Sequence, residues 1–151
     1  MKCCNSSGSS CNHENPCRFF AQYSVYANPP SGTDLPMSVV FQEGDQIRLN
    51  GDSQIILAPG FLYLVDYLFL ATTEADNYMQ ITPRIGGSLR LLYSFYAPAG
   101  SGGRNTSASG SFTTNEAIAQ ESSLAFHLTF PSSVRNIDIS GAVSVTPLVK
   151  M

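Results

Sequence analysis

The sequence predicts an all-β sandwich of the jelly-roll type, and three observations carry that prediction. Charged residues make up 13% of the chain, about half the usual share. Turn formers are abundant, with 12 Gly and 9 Pro. Apolar residues recur with period two in one short segment after another, and no segment shows the 3.6-residue period of an amphipathic helix. Asn115–Ser122 is the one stretch that admits a turn of helix.

The elements follow in order. Residues 1–17 hold all four cysteines and almost no apolar bulk, so they read as a flexible arm. Residues 18–151 read as one domain, large enough to bury a real core. Phe19–Ala27 alternates and forms the first strand, with a Pro29-Pro30-Ser31-Gly32 loop after it. Met37–Phe41 is the second, closed by Glu43-Gly44-Asp45. Ile47–Leu49 and Gln54–Leu57 flank Asn50-Gly51-Asp52, a strong hairpin signal. Pro59-Gly60 launches the long run Phe61–Thr72. Tyr78–Ile85 ends at Gly86-Gly87, which turns the chain into Leu89–Tyr96. A glycine-rich loop from Pro98 to Asn105 precedes the last strands, Ser107–Thr114, Leu124–Phe130 and Ile137–Val149. Eight to ten strands so spaced build two packed sheets.

The run from Phe61 has one apolar face too many. One face carries Phe61, Tyr63, Val65, Tyr67 and Phe69, and the other Leu62, Leu64, Asp66, Leu68 and Leu70. A strand on a domain surface alternates apolar with polar. One face can fill the core of its own domain, so the other requires a second cover. Burying three or four such side chains contributes roughly 1.5–3 kcal/mol each, enough to drive oligomerisation. Left wet, the patch invites aggregation. A strand dry on both sides would bury Asp66, which then needs a partner. Arg84 or Arg90 is the expected one, with an ion or proton site near the axis of the oligomer as the alternative.

Several segments together resemble a family. Ile56-Leu57-Ala58-Pro59-Gly60-Phe61-Leu62-Tyr63-Leu64-Val65-Asp66-Tyr67 looks like the "Ala-Pro-x-x-Gly-x-Tyr-x-Phe-x-Tyr" passage of complement-type globular heads, the jelly rolls of the complement and tumour necrosis factor superfamily. Ile81-Thr82-Pro83-Arg84-Ile85-Gly86-Gly87 resembles their strand ending in Asn-Gly. Ala108-Ser109-Gly110-Ser111-Phe112 and Ser140-Gly141-Ala142-Val143-Ser144-Val145 resemble their later "Ser-Gly-Ser" and closing strands. Order and spacing agree over residues 19–149. Among relatives the chain looks most like the bacterial branch, the C-terminal domains of collagen-like exosporium proteins and similar Firmicute surface proteins. There is no Gly-X-Y tract; the Cys-rich arm stands where a collagen stalk would. The resemblance implies a ten-stranded-type, TNF-like jelly roll that forms a homotrimer with one sheet toward a three-fold axis. Phe61, Tyr63, Val65, Tyr67 and Phe69 then become the expected axis residues.

Chemistry is sparse. Cys3, Cys4, Cys11, His13 and Cys17 form the one constellation with metal-ligand residue types. Their spacing matches no standard zinc module, and two readings stay open beside a plain arm: zinc binding, and disulfide cross-links between chains. No other cofactor is expected. Two histidines, one in the arm and His127 on the polar side of its strand, assemble no nucleophile–His–acid set, so an enzyme is not expected. Gly100-Ser101-Gly102-Gly103-Arg104 lacks the ending of a phosphate loop. Asp45, Asp52 and Asp76 lie on loops without calcium-loop spacing. A net charge of −3 argues against nucleic acid. The Phe61 run is too short to span a bilayer, and no signal peptide opens the chain. The expected role is structural, in a bacterial surface or spore outer layer, with itself and other surface-layer proteins as partners. The alternative is a ligand- or glycan-binding head using loops near Pro29–Asp34 and Pro98–Asn105.

Overall fold

A computed structural model describes residues 19–114, 118–131 and 137–150. Among the described residues twelve strands follow one another: β1 (Phe20–Ala27), β2 (Thr33–Asp34), β3 (Ser38–Glu43), β4 (Ile47–Asn50), β5 (Gln54–Leu57), β6 (Phe61–Thr72), β7 (Tyr78–Ile85), β8 (Ser88–Leu89), β9 (Phe95–Pro98), β10 (Asn105–Thr113), β11 (Ser122–Thr129) and β12 (Asp138–Lys150). A 3-10 turn, Leu91–Tyr93, interrupts the stretch read as one strand from Leu89 to Tyr96. In the Asn115–Ser122 stretch, residues 118–121 are not helical, and 115–117 lie outside the described residues.

Two antiparallel sheets face each other. The five-stranded sheet runs β10-β6-β12-β1-β3. The seven-stranded one runs β4-β5-β11-β7-β8, with β2 on β11 and β9 on β7. First and last long strands pair at the centre, Ala21 opposite Val145 through Ala27 opposite Ile139. Such pairing of sequence-distant strands is what distinguishes a jelly roll from a meander. The hairpin at Asn50-Gly51-Asp52 forms as expected. Gly51 there has φ of 65°, a backbone state glycine adopts without a Cβ penalty.

The core lies between the sheets and is rich in aromatic rings. Phe69 and Phe126 meet edge to face at 5.5 Å, one from each sheet. Tyr67 stacks on Phe95 at 4.9 Å and Phe19 meets Phe61 at 4.8 Å. Burial pushes the hydroxyls of Tyr23 and Tyr63 up to about 12, because phenolate is poorly solvated there. Tyr63 still donates to the Ala58 carbonyl at 2.7 Å.

This packing corrects the assignment of the axis residues. Tyr63, Val65 and Phe69 are wholly buried in the core of the single chain, and Phe61 and Tyr67 pack against it. They form the inner face of β6; Tyr63, Val65 and Phe69 are not available to a neighbouring copy, and Phe61 and Tyr67 are half-buried against the same core. Asp66 is corrected with them: it is exposed on the opposite face. Arg84, one of its expected partners, is bound to Asp34 instead.

Candidate functional site

The outer face of the five-stranded sheet is built around β6. Leu62, Leu64, Asp66, Leu68 and Leu70 point away from the core, and Leu68 is 54% exposed. Register decides what surrounds them. Ser140, Ala142, Ser144 and Thr146 of β12 lie opposite Leu70, Leu68, Asp66 and Leu64. Ser107, Ser109 and Ser111 of β10 lie opposite Leu70, Leu68 and Asp66 on the other side. The result is a leucine ridge between two rows of small, uncharged side chains. Charge is scarce on this face, as it is at the centres of protein interfaces.

One end of the face holds a cleft of about 310 Å³, walled by Tyr26, Ala27, Asn28, Leu70, Thr72, Asp138, Ile139 and Ser140. Asn28 donates to Asp138 Oδ1 at 2.8 Å across it, and Tyr26 projects almost fully into solvent. A second apolar group sits on the flank of the sandwich. Leu91 and Leu92 of the 3-10 turn are 73% and 81% exposed. The turn is anchored beneath by Tyr93, whose ring stacks on Phe112 of β10 at 4.8 Å.

The outer face of the other sheet carries a polar knot. Arg84 of β7 donates to Asp34 Oδ2 at 3.0 Å, and His127 Nδ1 of β11 lies 2.9 Å from Asp34 Oδ1. The Arg84 terminal nitrogen is 3.3 Å from the same Nδ1. One ring nitrogen cannot donate to the carboxylate and accept from the guanidinium at once, and the shorter contact places its hydrogen toward Asp34. The knot fastens β2, the short strand where the chain crosses from one sheet to the other. Backbone bonds hold it as well, Gly32 N–H to Leu128 O at 2.9 Å and Leu35 N–H to Phe126 O at 2.8 Å. His127 is thus a fastening residue rather than a free rim residue. Asp34→Ala strands a guanidinium and an imidazole, and the expected loss is about 2 kcal/mol, below the cost of breaking a fully buried pair. A denaturant midpoint within error of the parent for Asp34→Ala would remove the knot from the list of stabilising contacts.

The sequence-predicted metal residues Cys3, Cys4, Cys11, His13 and Cys17 lie outside the described residues. Among the described residues no three His, Cys, Asp or Glu side chains gather as ligands for an ion. Asp45, Asp52 and Asp76 belong to no such group.

No protein-family model and no curated protein matches the chain. Solved structures do. The chain is similar to murine APRIL at pH 5.0, with a TM-score of 0.61 and 10% identity over 87% of this chain and 99% of that one. It is similar to the globular domain of zebrafish complement 1qA protein, with TM-score 0.56 and 9% identity, covering 87% and 99%. It is also similar to PRD1 vertex protein P5, with TM-score 0.56 and 14% identity, covering 87% and 97%. The fold is the TNF and complement jelly roll. At these identities the likeness is one of fold, and the residues that act must be argued from this chain.

Proposed function

We propose that the chain is a non-enzymatic, homotrimeric jelly-roll module with a structural role in a bacterial surface or spore outer layer. The observation that carries the assembly is the exposed leucine ridge of β6. A monomer rarely leaves such an apolar strip uncovered, even one that Asp66 interrupts. The flank at Leu91 and Leu92 supplies a second, differently shaped apolar group. A face on one side and a ridge on the other suit a heterologous contact, which closes into a ring when the rotation allows. The resemblance of the sequence to complement-type heads implies three copies as the closing number. The surface-layer setting is supported by the sequence resemblance to exosporium domains.

A non-enzymatic reading is supported by how the polar groups are spent. Asp34, Arg84 and His127 bind one another, and Thr82, Ser94 and Gln80 do the same at 2.8 and 3.1 Å. The ligand-binding alternative draws on the cleft beside Tyr26, which mixes apolar walls with Asn28 and Asp138. A glycan array that lights up with the full chain and goes dark with Tyr26→Ala would favour it.

The arm adds cross-linking to this reading. Phe19, just after it, is buried against Phe61, and Phe61 lies opposite Lys150 on β12. The arm therefore joins the domain at one end of the assembling sheet, and three arms would start from the same end of a trimer. Tethering raises the local thiol concentration into the millimolar range or so. We expect oxidised glutathione to yield covalent dimers and trimers on non-reducing gels, reversed by reductant. A band of single chains alone after oxidation would overturn cross-linking between chains and leave zinc, read as a mass gain on zinc addition that a chelator reverses, or a plain arm. The experiment that tests the module as a whole is the sedimentation mass of the full chain in reductant and chelator: three chains of 16.3 kDa support it, and one chain overturns it.

A further inference from the structure

The five-stranded sheet ends in two edges of different character. At one edge, β10 is rich in Ser and Thr and buries its one large apolar side chain, Phe112. At the other, all six residues of β3, Ser38–Glu43, are exposed. Val39, Val40 and Phe41 are 49%, 58% and 50% exposed. β3 pairs with β1 on one side and has no strand on its other side among the described residues. Natural edges are usually blunted by charge or proline. The edge strand β4 follows that rule, with Arg48 bound to Glu121 at 3.1 Å. β3 has no proline, and its one charge, Glu43, stands at its end. Its one protective device is a bulge: Phe41 lies opposite Gln22 and Val39 opposite Tyr23, so Val40 is the extra residue.

We propose that β3 is a second self-association edge, pairing antiparallel with β3 of another copy and joining assembled units sideways. The occupant follows from the strand's own chemistry. A two-fold axis between Val40 and Phe41 sets each Val40 opposite a Phe41, a β-branched–aromatic pair that stabilises sheets. The same register sets Val39 opposite Gln42 and Glu43 opposite Ser38, so the single charge meets a hydroxyl and never its own copy. The contact is self-complementary, as a two-fold interface must be. The Ser- and Asn-rich arm has no β-branched or aromatic side chain to set against Val40 and Phe41, and a second copy of β3 has both. The edge lies on a different strand from the leucine ridge and does not depend on it.

Sedimentation of the full chain in reductant, over a concentration series, tests this. Wild type is expected to populate even multiples of its basic unit as concentration rises. Val40→Lys, a charge in mid-edge, is expected to weaken that step tenfold or more while leaving the basic unit and the melting midpoint unchanged. If the trimer reading fails but this one holds, single chains pair into dimers. If the trimer holds but this one fails, the series stops at trimers. Unchanged even multiples in Val40→Lys overturn the proposal. Dissociation of Val40→Lys into single chains also overturns it, because β3 would then belong to the first interface.

Discussion

Gly141→Ala is expected to cost about 3 kcal/mol or more, the upper range for overpacking a filled interior. The melting midpoint should then fall by roughly 10 °C. Gly141 sits in the middle of β12, opposite Phe69 on β6 and Val25 on β1. A Cβ built there would strike the Leu68 carbonyl and approach Phe69 Cδ1 to 2.8 Å. The first obstacle is backbone of the neighbouring strand, which cannot swing away as a side chain can. Glycine in a strand interior ordinarily costs stability, and it persists where another group must come close. Here the group is the Phe69 ring, which reaches Phe126 of the opposite sheet only by lying over Gly141. Gly100→Ala is the control, since no atom lies within 4 Å of its would-be Cβ, and its effect should stay within about 0.5 kcal/mol. Equal denaturant midpoints for the two variants would show that the close approach at Gly141 is not what holds β12 and β6 together.

Much of this fold is written in period two. Alternation located β5, β6 and β7 to the residue, because each is bounded by Gly or Pro and faces a dry interior on one side. β2 stayed hidden inside a Pro- and Gly-marked loop: two residues cannot display a period. The 3-10 turn at Leu91–Tyr93 was hidden for the opposite reason. Its leucines look like strand residues but are exposed, and sequence does not distinguish an apolar residue facing solvent from one facing a core.

The axis residues failed for a reason specific to β6. When both faces of a strand are apolar, its own alternation cannot say which face is inward. The neighbours could have said. β12 sets Ile139, Val143 and Val145 against Ser140, Ala142 and Ser144, and β1 sets Ala21, Tyr23 and Val25 against Gln22 and Ser24. Each puts its bulk on one side, and register carries that side to Tyr63, Val65 and Phe69. Reading this needs the pairing, which is fixed by contacts between strands far apart in the sequence. Sequence separation also hid the Asp34 knot, whose members come from three strands with no common motif.

Leu68→Arg should convert the assembled protein to single chains. Leu68 lies mid-ridge, flanked by Ala142 and Ser109, so a three-copy contact on this face would bury it. Its removal from water contributes roughly 1.5–3 kcal/mol per copy. An arginine in its place carries a long charged side chain into a dry contact; Asp66, two residues along the same face, is the nearest acid, and burying the pair still costs the desolvation of both charges. Three copies lose this together, which is more than most assemblies can absorb. The single chain should not suffer, because Leu68 is 54% exposed there and surface changes are usually within about 0.5 kcal/mol. Circular dichroism of the variant should therefore match wild type while its sedimentation mass falls to 16.3 kDa. Asp66→Ala separates this from a general charge effect: it removes the ridge's own acid and should leave the assembly intact or tighter. An assembled mass unchanged in Leu68→Arg would place the contact elsewhere, and the flank at Leu91 and Leu92 would be the next surface to charge.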